Sequence, residues 1–141
     1  MTREKGLVLD ANILIRAVFG NKVRRIIEAA EGEFVFYCPD FCIDEAHQHV
    51  PAIAERNGKA LSAAVSTLSD VLLLITSVSR NFYRPLRTEA TARIAARDPN
   101  DWHVVAAALF LDLAIWTEDY DFFGCGVATW TTDRIELYLK S

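Results

Sequence analysis

The sequence is poor in features that mark several large classes of protein. It has no apolar run of membrane-spanning length. The longest, residues 104–111 (VVAAALFL), falls far short of the roughly 20 residues a bilayer needs and reads as a buried helix. No membrane partner is expected. MTREKG at the N-terminus leads into an apolar strand with no apolar leader. Cysteine is scarce and odd in number, three in all, which argues against a disulfide framework and for reduced thiols in the cytoplasm. Basic residues do not predominate: 15 Lys and Arg stand against 19 Asp and Glu, a net charge of −4. That excludes a coat held on a polyanion by charge alone. It leaves room for phosphate contacts made by bound cations and a local group of arginines. Internal repeats, low-complexity tracts and linkers are absent as well.

What is present is a core. A chain of 141 residues, 52% hydrophobic and 11% aromatic, is expected to form one domain over residues 1–141 and to bury roughly 65–70% of the surface its unfolded form exposes. Residues 6–10 (GLVLD) read as a buried strand ending in an acid. A helix from Ala11 follows, ended by Gly20 and Asn21. In residues 22–31, Val23, Ile26, Ile27 and Ala30 make the apolar face of an amphipathic helix. Residues 34–38 (FVFYC) form the second strand, and Pro39 and Asp40 start a helix toward Glu55 with Pro51 inside it. Past a break at Asn57 and Gly58, Leu61, Ala64, Val65, Leu68, Val71 and Leu72 define another helix. Residues 73–78 are either its end or a third strand, 81–85 a loop and 87–97 an alanine-rich helix. AIWT (114–117) and VATW (127–130) are strands, and 133–140 a terminal helix. Strands alternating with helices predict an α/β fold, a central parallel sheet in three α/β/α layers.

The acids fall at the ends of these buried elements. Asp10 ends the first strand and precedes a helix, where it suits an N-cap. In Asp98-Pro99-Asn100-Asp101, Asp98 suits a cap, Pro99 the first helical position and Asp101 the third; that explains Asp98 and leaves Asp101 open. Asp119 and Asp121 follow AIWT, where one of the two would suffice to cap a turn. Glu45 falls, with His49, inside the arc made by Phe41, Cys42, Ala46, Ala52 and Ile53, while Asp44, His47 and Gln48 project from the opposite side. A glutamate there needs a partner, either His49 or a polar pocket.

In an open parallel sheet, ligands sit outside the carboxyl ends of the strands near a switch in strand order. Asp10 and Asp119 lie just past such ends. Carboxylates brought together there would repel one another unless a cation joined them. All-oxygen ligation points to Mg²⁺ or Mn²⁺, and such a site can hydrolyse a phosphodiester.

At these residues the chain resembles the PIN-domain nucleases, and within them the VapC-type toxins, over nearly its whole length. LVLDANILI is similar to the family's first strand with its acid, here Asp10 followed by Asn12. PDFCIDEA places a glutamate six residues after a proline, here Pro39 and Glu45. DWHVVAAAL is similar to the motif of an Asp before a small-residue helix, here Asp101, and WTEDYDFF to the T-x-D-x-D-F ending, with Thr117, Asp119 and Asp121. The resemblance implies a PIN-like fold and an endoribonuclease that uses metal-activated water and leaves a 5′-phosphate and a 3′-hydroxyl. It implies catalytic and metal-holding roles for Asp10, Glu45, Asp101 and Asp119, with Asp121 an alternative to Asp119 as the fourth acid. Asn12, Thr117 and Asp121 would support the metal water or phosphate. It further implies a homodimer, which the broad apolar content of the helices also favours, and inhibition by a small antitoxin. The alternatives are a PIN nuclease of RNA processing without an antitoxin, and a non-catalytic RNA- or protein-binding module. A receiver-like or phosphatase domain would need a lysine matched to its acceptor aspartate, and none lies between Lys59 and Lys140.

Other features weigh less. Cys38, Cys42, His47 and His49 make a poor zinc set, because the two histidines point to different helix faces. His103 reads as a helix-surface residue. Arg16, Arg80, Arg84, Arg87, Arg93 and Arg97 are candidates for phosphate contact. The best group for RNA is Arg80, Arg84 and Arg87, interleaved with Phe82 and Tyr83, whose rings could stack on unpaired bases.

Overall fold

The computed structural model describes residues 5–94 and 98–140. The candidate Arg97 and the last residues of the helix expected at 87–97 lie outside them.

Five parallel strands form one sheet in the order β3-β2-β1-β4-β5. They are β1 (Gly6–Leu9), β2 (Val35–Pro39), β3 (Ile75–Val78), β4 (Ala114–Trp116) and β5 (Thr129–Trp130). Every strand is followed by helix or turn, so each parallel return crosses over the sheet. The three residues Leu7, Val8 and Leu9 of the central strand are fully buried, as expected where both faces are covered. The helices are α1 (Ala11–Phe19), α2 (Lys22–Ala30), α3 (Asp40–Arg56), α4 (Leu61–Leu72), α5 (Arg80–Tyr83), α6 (Arg87–Arg93), α7 (Trp102–Leu111) and α8 (Ile135–Leu139). One packed group is α1 with α3 and α4; α7 packs against the sheet beside α5 and α6. Sheet and flanking helices make the expected α/β/α arrangement.

The ambiguous residues 73–78 resolve into the edge strand β3, because Ile75, Thr76, Ser77 and Val78 pair with Phe36, Tyr37, Cys38 and Pro39. The expected loop at 81–85 is helical instead: Ser79 caps α5 by accepting from the Asn81 N–H, and a 3₁₀ turn (Arg84–Leu86) runs on into α6. The strands read as AIWT and VATW are shorter than expected, ending at Trp116 and starting at Thr129. Pro51 sits within α3 without ending it.

The chain passes from β1 outward to β2 and β3, then returns to β4 on the other side of β1. The order therefore reverses between β1 and β4, where the two crossovers diverge and leave a crevice outside the strand ends.

Candidate metal centre

A cavity of about 210 Å³ lies at that crevice, lined by Asp10, Asn12, Glu45, Asp98, Asp101 and Asp119 among others. Each acid but Asp98, which shares its turn with Asp101, arrives from a different element. Asp10 follows β1 and is 6% exposed. Its Oδ1 accepts the Ile13 N–H at 3.1 Å, capping α1, and its Oδ2 accepts the Thr117 hydroxyl. Thr117 is fully buried just past β4, and its Oγ1 also accepts the Asp119 N–H at 2.9 Å. One hydroxyl thus joins the ends of two adjacent strands and sets the start of the loop that carries Asp119 and Asp121.

That loop is a 3₁₀ turn (Tyr120–Phe122) capped by Asp119, whose Oδ1 accepts the Asp121 N–H at 2.9 Å. The cap expected of one residue is made by Asp119. Asp121 is brought to the same centre: Asp101, Asp119 and Asp121 each place a carboxylate oxygen within 4.8 Å of the others. Both acids of the D-x-D pair are therefore present, where the sequence leaves a choice between them.

Asp101 does not occupy the third helical position. Residues 98–101 form a turn in which the Asp98 Oδ1 accepts the Asn100 N–H at 2.9 Å, and α7 begins at Trp102, immediately after Asp101. The Asp98 side chain closes its own turn rather than capping the helix. Asp101 makes no capping bond, and its Oδ2 is buried with no hydrogen-bond partner. Glu45, half-buried on α3, faces the same cavity. The buried stripe of α3 is Cys42, Ala46, Val50 and Ala54, so Ala52 is exposed and Glu45 with His49 stands at the stripe's edge rather than within it.

The electrostatics follow from burial and crowding. Burial, partly offset by the Thr117 and Ile13 hydrogen bonds and reinforced by Asp119, raises the Asp10 carboxyl to about 6. Burial, then the charges of Asp119, Asp98, Asp121 and Asp10, raises Asp101 to about 7. Burial and Asp98 raise Glu45, with His49 opposing. Among the described residues no lysine or arginine pairs with Asp10, Glu45, Asp101 or Asp119. An all-carboxylate set with a buried oxygen that no donor satisfies fits a hard divalent cation, because oxygen ligands suit Mg²⁺ or Mn²⁺ and a cation removes the repulsion. Asp98 is legible in the sequence only as a cap; its spacing of three from Asp101 is the available signal that both acids face one pocket.

The other candidates are distributed around this centre. Asn12 is exposed on the cavity wall, and Arg16 is exposed one turn further along α1. Arg84 and Arg87 are exposed, with the Arg87 guanidinium 4.9 Å above the Trp102 ring. Arg80 is already engaged: its Nε lies 3.2 Å from Asp40 and a terminal nitrogen 3.3 Å from Asp44. Arg93 pairs with Glu89 at 2.9 Å. Tyr83 offers no stacking surface, being fully buried, and the exposed Phe82 ring stacks on Phe110 at 5.8 Å.

His103 does not lie on a helix surface as its position in the sequence suggests. It is buried, 5% exposed, between the rings of Phe41 at 4.0 Å and Trp102 at 3.9 Å. Burial lowers its pKa to about 4, so it is neutral near pH 7. Its Nδ1 lies 2.7 Å from the Tyr83 hydroxyl, which lies 3.2 Å from Asp40 Oδ1. Burial alone would raise the Asp40 carboxyl, but hydrogen bonds from Arg80 and Phe41 hold it below its usual range. An ionised Asp40 can only accept, so the single Tyr83 proton goes to Asp40 and His103 donates to Tyr83. This network ties the first turns of α3, α5 and α7 together beside the acids. No periodicity signals it, since its members lie 20 and more residues apart.

No curated protein matched the chain. Among solved structures, PAE2754 from Pyrobaculum aerophilum superposes with a TM-score of 0.71 at 16% identity, covering 98% of this chain and 90% of that one. VapBC2 from Rickettsia felis, bound to a DNA fragment from its promoter, gives 0.67 at 16% identity, with 89% and 98% covered. A toxin–antitoxin complex from Klebsiella pneumoniae gives 0.53 at 18% identity, with 89% and 97% covered. At such identities the likeness is one of fold. The sequence profile described as PIN domain matches residues 8–140, a span that takes in all the acids named above. PIN domains are in general nucleases that use a divalent metal, and on that match the chain belongs to the PIN domain family.

Proposed function

We propose that this chain is a Mg²⁺- or Mn²⁺-dependent endoribonuclease, and that it is the toxin of a toxin–antitoxin pair. The observation that carries the reading is the buried Asp101 Oδ2, unsatisfied beside Asp10, Glu45 and Asp119, none of which pairs with a lysine or arginine among the described residues. Asp10, Glu45, Asp101 and Asp119 are the residues assigned to hold the ion and carry catalysis, with Asp121 close enough to share in holding it. Bound there, the ion supplies charge to stabilise a phosphodiester under attack and lowers the pKa of a water.

The chain's own residues do the rest. Thr117 fixes the Asp10 carboxylate and the Asp119 backbone together. Asn12, exposed on the cavity wall, is assigned to donate to a phosphate oxygen. Glu45, half-buried on α3 and facing the cavity, is assigned to help hold the ion and the water it would activate. Arg16, Arg84 and Arg87 are exposed and assigned to the RNA backbone; Arg80 would reach it only by leaving Asp40 and Asp44. The products would carry a 5′-phosphate and a 3′-hydroxyl.

The toxin role is supported by the folds it resembles, one of them a toxin–antitoxin complex from Klebsiella pneumoniae. A homodimer is supported by apolar side chains left in water, Leu73 at 85% and Phe82 at 62% among them. No helix among the described residues is long and apolar enough to cross a membrane, and three buried free thiols favour a reducing cytoplasm. Residues 1–141 are assigned to one catalytic domain.

Incubating the purified protein with labelled RNA and DNA, with and without Mn²⁺, tests the reading. RNA cut only when Mn²⁺ is present is the expected result. RNA left intact, or cut equally well in excess chelator, would overturn it.

A further inference from the structure

The turn that presents Asp119 and Asp121 also carries three aromatic rings, and they go two ways. A 3₁₀ turn has three residues per turn, so positions three apart eclipse. Phe122 points inward, 2% exposed, and forms part of the cavity wall. Tyr120 and Phe123 fall together on the outside, their rings stacked at 5.5 Å with 27° between planes. Tyr120 is 76% exposed and Phe123 47%. Neither belongs to the buried core among the described residues, so the core alone gives no reason for two large rings there.

Their position does give one. Tyr120 stands between two acids of the centre, Asp119 and Asp121, on the turn whose Asp119 lines the cavity, and both rings of the doublet are exposed. The neighbouring charge is negative, so the surface does not attract a phosphate backbone by itself. What it offers is a π face. Nucleobases stack on aromatic rings largely irrespective of sequence, provided they are unpaired; a duplex keeps its bases stacked inside. We propose that Tyr120 and Phe123 form a stacking platform for an unpaired nucleobase of the strand whose phosphodiester enters the acidic cavity. The choice of a nucleic acid as occupant rests on the nuclease reading above, and the substrate class it names is single-stranded.

The platform is measured by binding, without turnover. The probe is a short, labelled, single-stranded adenine oligomer with methylphosphonate linkages, which keeps the bases and removes the backbone charge. An abasic oligomer of the same length is its control. Polarisation should show the wild-type protein binding the base-bearing oligomer more tightly than the control. Tyr120→Ala and Phe123→Ala should each lower that affinity about 5- to 100-fold, as loss of one base–aromatic stack does. Tyr120→Phe and Tyr120→Trp should retain it, and all four variants should take up Mn²⁺ as the wild type does. Unchanged oligomer affinity in both alanine variants overturns the platform. So does a result in which those variants lose self-association instead, which would make the doublet a protein contact. If the wild type cuts no polynucleotide yet shows ring-dependent oligomer binding, the nuclease reading falls and the platform stands. If RNA is cut and the alanine variants bind like wild type, the reverse holds.

Discussion

Thr117 donates its hydroxyl to Asp10, a residue 107 positions away in the chain, and the same oxygen accepts the N–H of Asp119 at 2.9 Å. This one side chain couples the ends of β1 and β4 to the acidic turn. The centre is therefore organised by a group that need not touch an ion at all.

Thr117→Val keeps the shape and removes the hydroxyl, leaving Asp10 Oδ2 and the Asp119 N–H without their partner. Mn²⁺ affinity should fall about 10- to 100-fold, as for loss of a group that orients a metal ligand, and stability should fall about 1–3 kcal/mol. Thr117→Ser should restore most of both. Calorimetric titration with Mn²⁺ and chemical denaturation check it.

Asp101→Asn removes one charge from a crowded, partly buried set. In metal-free buffer the variant should melt a few degrees above wild type, since about 1 kcal/mol is worth about 2–4 °C in a chain of this size. Mn²⁺ should raise the wild-type melting temperature and leave the variant's nearly unchanged. Scanning calorimetry with and without the ion reads both effects.

The pH dependence has a definite sign. Asp10 at about 6 and Asp101 at about 7 both lie above their usual value of 3.8, and Glu45 is raised too. The folded chain thus holds protons at these groups that the unfolded chain has released. Their contribution is fully present below about pH 4 and is lost as pH rises through 6 and 7. Metal-free wild type should lose stability across that window, and Asp101→Asn should lose less. Denaturation midpoints measured at a series of pH values test it.

His103 behaves in the opposite way. Its pKa is held down at about 4 against 6.5 in the unfolded chain, so its contribution is complete above about pH 6.5 and is lost as pH falls through 4. Tyr83→Phe removes the hydroxyl between His103 and Asp40, and should cost about 1–3 kcal/mol at neutral pH. A titration of the His103 ring followed by NMR, together with denaturation of the variant, decides whether the network exists as described.

Much of this is legible in the primary structure because it depends on local pattern. Buried strands such as residues 6–10 and amphipathic α2 announce themselves by periodicity, and alternation of the two types implies a parallel sheet. The acids stand out because each ends an apolar element where an acid needs a reason. What pattern does not supply is distance. Asp98 and Pro99 satisfy every local rule for a helix start, yet the helix begins after Asp101 because the turn at 98–101 is closed by the Asp98 side chain itself. Tyr83 and Phe82 look alike in sequence; packing against Trp102 and His103 buries one ring, while the other stays in water. His103 is misread for the same reason, since α7 is covered on all sides over residues 102–108 and has no outer face there.

The most direct test of the central claim is a crystal soaked in Mn²⁺ and read by anomalous scattering. The expected result is a peak in the cavity between β1 and β4, within coordination distance of carboxylate oxygens from Asp101 and Asp119. A fully soaked crystal with no peak there, or with Mn²⁺ bound only at unrelated surface acids, would contradict it.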